Sequence, residues 1–221
     1  MTEKRRNPTK VVLLHGLGRA SLSMAYLANQ LAKAGYDPVN LSYPSFKYPV
    51  EKLATDFVLP AILNRDEPTH FVTHSLGGII VRQIADSNPD FRIGRVVMLA
   101  PPNAGSEVAE TLSKWAWFRA FNGPAGEQLG TSAKSLPKSL GPAPFQLGII
   151  AGNRTVNPLL SRLIEGENDG RFSVENAKLE GMADFLVLPV SHPFIMLNKT
   201  VSEETIHFLE HGAFQGSEKI P

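Results

Sequence analysis

Short apolar runs alternate with longer amphipathic stretches along this chain, and no other feature of the sequence restricts its fold as much. Six runs have the composition of buried strands, and several are stopped by glycine or proline: 10–15, 36–43, 70–74, 95–100, 145–151 and 184–190. The amphipathic stretches predict helices at 21–34, 50–63 (ended or kinked early by Pro60), 77–87 and about 202–210. This alternation predicts a three-layer α/β/α sandwich around a mostly parallel sheet of about six strands.

Parallel strands joined by right-handed crossovers end at the same edge of the sheet, which is where open α/β sheets bind ligands. The 221 residues suit one domain spanning 1–221, with residues 1–9 as a disordered tail. Residues 122–144 contain four prolines and four glycines and are too long for a simple connection. We therefore expect this segment to form a lid or the rim of a pocket.

The composition excludes several kinds of protein. Twenty-two basic and 21 acidic residues give a net charge of +1, which provides no electrostatic reason to expect nucleic acid as a partner. The absence of cysteine excludes disulfides and a cysteine nucleophile. The sequence shows neither a signal-peptide pattern nor an apolar stretch of transmembrane length. We expect a cytoplasmic protein without an integral membrane segment, either a monomer or a small homo-oligomer.

A serine lies where a predicted strand passes into a predicted helix, in the run Thr-His-Ser-Leu-Gly-Gly at 73–78. A serine on such a sharp turn projects its hydroxyl from the sheet edge, and small neighbours let strand and helix approach closely. Ser75 could instead simply cap a glycine-rich helix. The run resembles the nucleophile elbow of the α/β hydrolases, Gly-x-Ser-x-Gly, with Thr73 in place of the first glycine. That resemblance implies that Ser75 is a nucleophile.

The same resemblance implies an acid and then a histidine later in the chain. Asp169, in an Asn-Asp-Gly run after the fifth predicted strand, matches the acid, although the run could be a plain surface turn and Glu167 or Glu175 could serve instead. His192 follows the sixth predicted strand and matches the base, with Ser191 where family members often have glycine. The histidines at 70, 74, 207 and 211 do not match the position of the base.

A second resemblance concerns the loop after the first predicted strand. His-Gly-Leu-Gly at 15–18 is similar to the His-Gly-x-Gly segment of lipases, although a strand-to-helix turn with two glycines would look the same. By this resemblance the backbone N–H groups of Leu17 and Leu76 form an oxyanion hole. Residues 41–45 and 100–106 also resemble segments of small bacterial lipases and esterases, so the similarity extends over about 10–210.

An aromatic cluster precedes the segment rich in proline and glycine. Trp115, Trp117 and Phe118 could form the wall of an acyl-chain pocket, or could be core residues of an amphipathic helix. The resemblance implies a serine hydrolase that cleaves small-molecule esters or lipids. No long helical cap domain fits the sequence, so we expect an open site and esters with short-to-medium acyl chains. A lipase, thioesterase or acyltransferase with the same triad is an alternative, as is a catalytically silent binding protein. We see no metal-binding motif and expect no cofactor.

Overall fold

The computed structural model describes residues 8–62, 68–106, 123–132, 135–156, 161–162 and 164–216, and its centre is a six-stranded sheet. The strands are β1 (Lys10–Leu14), β2 (Asp37–Leu41), β3 (Thr69–His74), β4 (Ile93–Leu99), β5 (Leu147–Gly152) and β6 (Met182–Leu188). Their order is β2-β1-β3-β4-β5-β6, and every neighbouring pair is parallel. Each predicted strand is therefore present, close to its predicted bounds.

Helices cover both faces of the sheet because the strands are apolar on both faces. The helices are α1 (Ala25–Lys33, preceded by a 3₁₀ turn at Ser21–Met24), α2 (residues 50–62), α3 (Leu76–Ser87) and α4 (Lys199–His211). In β1, Val11 and Leu13 pack into the cluster that includes α1 and α4, whereas Val12 and Leu14 pack into the cluster of α2 and α3. This alternation confirms the predicted three-layer sandwich. None of the described helices is long and apolar enough to cross a membrane.

Two helix boundaries differ from the prediction. Pro60 does not end α2 early: the helix continues to Ile62, and its middle, Leu53–Val58, is π-helical. The wider π turn makes room for the proline ring, which in a regular α-helix clashes with the carbonyl of residue i−4. Helix α4 begins three residues before the predicted Ser202, because the Asn198 side chain caps it by accepting the Val201 N–H at 3.1 Å.

The described parts of the segment 122–144 include helical turns at 123–127 and Leu136–Ser139. The segment is tied to α3 by Arg82, which is buried although it is charged. The Arg82 guanidinium donates to the carbonyl oxygens of Pro137 at 2.6 Å and Gly141 at 3.0 Å. It also donates to the backbone and side-chain oxygens of Asn103, both at 3.2 Å. A lid role for this segment stays a prediction.

Candidate functional site

Ser75 lies between β3 and α3 in a strained backbone conformation. Its φ of 52° and ψ of −119° are unfavourable for a residue with a side chain, and such strain is concentrated at functional sites. The Ser75 N–H donates to the Leu99 carbonyl of β4 at 2.9 Å, which fixes the turn against the sheet. A Cβ added at Gly77 would lie only 2.7 Å from the Leu14 carbonyl oxygen. Glycine is therefore required here for the close approach of helix and sheet.

Asp169 and His192 form a buried hydrogen-bonded pair. The His192 Nδ1–H donates to Asp169 Oδ2 at 2.8 Å, and the His192 backbone N–H donates to the Asp169 carbonyl at 3.1 Å. The other carboxylate oxygen of Asp169 accepts the backbone N–H groups of Arg171 at 2.9 Å and Phe172 at 2.8 Å. The turn at residues 169–172, here the acid turn, thus holds the carboxylate in place. The carboxylate in turn fixes the orientation and tautomer of the imidazole, which leaves Nε2 as an acceptor.

The alternative acids lie away from this pair. Glu167 and Glu175 are exposed. The Asn153 side chain donates to Glu167 at 3.4 Å, and Glu175 forms an ion pair with Lys178 at 2.7 Å. Their positions leave Asp169 as the carboxylate that contacts His192.

The other histidines away from the elbow are also used elsewhere. His70 accepts the Arg95 N–H at 2.9 Å. His207 and His211 both lie on α4, with ring centroids 4.4 Å apart, and His207 contacts the Ala213 carbonyl at 2.8 Å. His74, which directly precedes Ser75, is the histidine that contacts His192 among the described residues.

His74 connects the elbow to the loop of His192. Its ring is buried, its Nε2 lies 3.2 Å from the His192 carbonyl oxygen, and the two ring centroids are 4.7 Å apart. Within the described chain, no hydrogen bond joins the Ser75 hydroxyl to the His192 imidazole. Hydrogen bonds of this type are often long in free enzymes and shorten when substrate binds. Ser75 is therefore connected to His192 by the hydrogen bond of the preceding residue, His74, rather than by a direct hydrogen bond.

Two backbone N–H groups near Ser75 match the predicted oxyanion donors. The Leu76 N–H is in the first turn of α3, where a helix offers no internal acceptor. In the loop after β1, the Gly18 N–H donates to Ser45 Oγ at 3.0 Å and the Arg19 N–H to the Gly16 carbonyl at 3.3 Å. No backbone acceptor takes the Leu17 N–H among the hydrogen bonds between described residues. A role of the Leu17 and Leu76 N–H groups as oxyanion donors stays a prediction.

The loop after β1 is held by contacts between His15 and Tyr43. Their rings stack with centroids 4.0 Å apart, and the Tyr43 hydroxyl donates to the His15 carbonyl. His15 Nε2 accepts the Tyr43 N–H at 3.3 Å, while its Nδ1–H donates to the Gly16 carbonyl at 2.9 Å. His15 therefore has a supporting position beneath the loop. The sequence resemblance places both residues in matching segments but does not indicate this stacking.

The charge state of His192 follows from its surroundings. Burial lowers its pKa below the ordinary value of 6.5, and this is the largest effect. The charge and hydrogen bond of Asp169 raise the pKa, whereas the positive charges of Arg171 and Arg19 lower it. The net direction is downward, so the imidazole is neutral at pH 7 and able to accept a proton.

Arg19 and Arg171, both near His192, were not among the residues selected from the sequence. Isolated arginines in predicted loops are normally solvated, so no sequence signal distinguishes them. Trp115, Trp117 and Phe118 lie outside the described residues. In the described ranges, no group of three or more histidine, aspartate or glutamate side chains could hold a metal ion.

Comparison with known proteins identifies the family. Residues 11–193 match the alpha/beta hydrolase family. The fold is similar to that of a mature lipase from Bacillus licheniformis, with a TM-score of 0.69 and 21% identity over 92% of each chain. A metagenomic carboxyl esterase has a TM-score of 0.64 at 18% identity, over 86% of this chain and 66% of its own.

A third similar structure is phospholipase PlaB from Legionella pneumophila, with a TM-score of 0.60 and 18% identity over 78% of this chain and 45% of its own. At such low identities the likeness concerns the fold. No curated protein matches this chain in sequence. The family match covers most of the chain, and it agrees with the six-stranded parallel sheet and with the resemblance found in the sequence. The chain belongs to the alpha/beta hydrolase family.

Proposed function

We propose that this protein is a carboxylic ester hydrolase that acts on short-to-medium acyl chains through an acyl-enzyme on Ser75. The observation that carries the proposal is the buried Asp169–His192 hydrogen bond of 2.8 Å, at the edge of the sheet where Ser75 is held at a φ of 52°. Hydrolysis by a serine requires a base to take the hydroxyl proton and an acid to orient that base.

In the first step His192 Nε2 takes the proton from Ser75 Oγ while the oxygen attacks the ester carbonyl. The N–H groups of Leu17 and Leu76 donate to the oxyanion and stabilise the negative charge that develops on it in the transition state. Asp169 accepts the Nδ1–H and stabilises the imidazolium. His192 then gives the proton to the departing alcohol, and the C–O bond of the ester breaks to leave the acyl group on Ser75.

In the second step a water molecule attacks the acyl-enzyme. His192 takes a proton from the water and returns it to Ser75 Oγ, which releases the carboxylic acid and restores the free enzyme. The lowered pKa of His192 keeps the base neutral at pH 7, as both steps require.

The test is hydrolysis of p-nitrophenyl esters from acetate to palmitate by the wild type, Ser75→Ala and Ser87→Ala. Ser87 is exposed at the C-terminal end of α3, which makes it a matched control. We expect Ser75→Ala to lower kcat by several orders of magnitude, and Ser87→Ala to behave as wild type. An optimum at short or medium chains would support an esterase, and an optimum at palmitate would favour a lipase.

Labelling with a fluorophosphonate probe separates the proposal from its main alternative. We expect the probe to label the wild type and Ser87→Ala but not Ser75→Ala. A folded wild type that is neither labelled nor active on any ester would contradict the proposal and favour a silent binding protein.

A further inference from the structure

Two arginine side chains from different loops border the proposed base. The Arg19 guanidinium, in the loop after β1, donates to the carbonyl oxygen of Pro193 at 3.2 Å. Arg171 lies in the turn of Asp169, with its guanidinium carbon 5.8 Å from the centroid of the Phe172 ring. That ring and the His192 ring form a T-shaped contact, with centroids 4.8 Å apart. Both arginines are partly buried, and the positive charge of each acts on His192.

Neither guanidinium has an ion-pair partner within the part of the chain that the structure describes. Asp169 acts on Arg171 only through its charge, because its oxygens are bound to His192 and to two backbone N–H groups. Burial lowers the pKa of both arginines. Partly buried charges are normally matched by an opposite charge, and these two are not.

The two positive charges also oppose the proposed reaction. When His192 takes the serine proton it becomes an imidazolium, and Asp169 supplies one negative charge to match it. Arg19 and Arg171 repel that imidazolium, which is why each lowers the pKa of His192. A negative group between the guanidiniums and the reacting ester would remove this repulsion.

We propose that Arg19 and Arg171 bind an anionic oxygen group of the substrate, a carboxylate or a phosphate, close to the ester that is cleaved. The inference rests on the proposed function, because it assigns the substrate of that same site. The planar guanidinium donates paired N–H groups that match both kinds of anion. An anion bound there also favours the charged form of His192, so binding of the correct substrate assists the chemical step.

The experiment compares anionic esters with neutral amide analogues of nearly equal size. p-Butyryloxybenzoate and p-butyryloxybenzamide place the charge on the alcohol side of the ester. The p-nitrophenyl monoester of adipic acid and that of its monoamide place it on the acyl side. p-Butyryloxyphenyl phosphate distinguishes phosphate from carboxylate. We expect kcat/KM for at least one anionic ester to exceed that of its neutral partner by about tenfold or more.

Arginine variants test whether these residues cause the preference. We expect Arg19→Gln and Arg171→Gln each to lower the ratio of anionic to neutral kcat/KM, and the double variant to bring it close to one. Arg171→Lys keeps the charge and should retain part of the ratio. Lys33→Gln removes an exposed charge at the end of α1 and should leave the ratio unchanged. Raising the salt concentration to about 1 M should weaken the wild-type preference.

The outcomes separate this inference from the proposed function. Equal kcat/KM for every matched pair in an active wild type would overturn the inference and leave the esterase intact. A preference that Arg19→Gln fully retains would also overturn it, and this surface-loop variant decides the matter if Arg171→Gln does not fold. A folded wild type that neither hydrolyses any of the esters nor is labelled by the fluorophosphonate probe would overturn both the inference and the proposed function.

Discussion

The buried imidazole of His74 donates its Nε2–H to the backbone carbonyl oxygen of His192 over 3.2 Å. Because His74 directly precedes Ser75, this bond connects the proposed nucleophile with the loop of the proposed base. Burial lowers the pKa of His74 well below its ordinary value, so the ring is neutral. The acceptor at Nε2 assigns the proton to that nitrogen. His74 therefore positions the His192 loop and takes no proton itself.

Substitution of His74 should separate positioning from packing. Gln retains a donor at the place of Nε2, whereas Leu fills similar space without a donor. We expect His74→Gln to keep most of the wild-type kcat, and His74→Leu to lower kcat about tenfold with a smaller change in KM, because one buried hydrogen bond to the base loop is lost. Steady-state kinetics and urea unfolding measure the two effects. Wild-type kcat in a folded His74→Leu would show that the bond positions nothing.

Removing the charge of Asp169 should abolish most activity without unfolding the protein. In Asp169→Asn the amide oxygen can still accept the backbone N–H groups of Arg171 and Phe172, so the acid turn is retained. The amide nitrogen then faces His192 Nδ1, which favours the wrong tautomer and leaves the imidazolium unmatched. We expect kcat to fall by roughly 10⁴-fold.

The control for Asp169→Asn is Glu175→Gln, in an exposed ion pair with Lys178. It should retain the wild-type kcat on the same esters. A modest loss in Asp169→Asn, or an equal loss in Glu175→Gln, would mean that the contact of 2.8 Å has another role.

The sheet could be predicted because local sequence encodes its strands, whereas the three candidate site residues come from the family resemblance and their roles stay predictions. Each strand is a short apolar run, and parallel strands bring their ends to one edge wherever the runs lie in the chain. The resemblance then assigns Ser75, Asp169 and His192 by their order. The structure brings Asp169 and His192 into contact and joins His74, in the elbow, to the His192 carbonyl oxygen.

The remaining features depend on tertiary contacts that no local pattern records. Arg82 would be predicted to lie on the surface of an amphipathic helix, but it is buried beneath carbonyl groups of a distant segment. Arg19 and Arg171 become a pair only because two loops meet at His192. The π-helical turn before Pro60 makes room for the proline ring within the helix, and the composition of the segment does not indicate it.

Arg82 should contribute more to stability than a helix arginine normally does. Arg82→Met keeps the aliphatic part of the side chain but leaves acceptors of Asn103, Pro137 and Gly141 without their donor. We expect the free energy of unfolding to fall by about 3 kcal/mol, measured by urea denaturation. Lys33→Met, on the exposed surface of α1, should change it by about 0.5 kcal/mol or less. An Arg82→Met variant as stable as the control would show that water replaces the guanidinium as the donor to these carbonyl groups.

The pH dependence of hydrolysis should report the surroundings of His192. The base acts in its neutral form, and its pKa in the folded protein is lowered below 6.5, so kcat/KM should fall only as the pH decreases below that value. Arg171→Gln removes one cause of the lowering and should move the midpoint of this acid limb upward, whereas Lys33→Gln should not move it. The measurement is kcat/KM for p-nitrophenyl butyrate between about pH 4.5 and 8, with ionic strength held constant. A wild-type midpoint above 6.5 would mean that the effect of Asp169 on the His192 pKa outweighs burial and the two arginines. An unmoved midpoint in Arg171→Gln would mean that this guanidinium is too far away to act on the base.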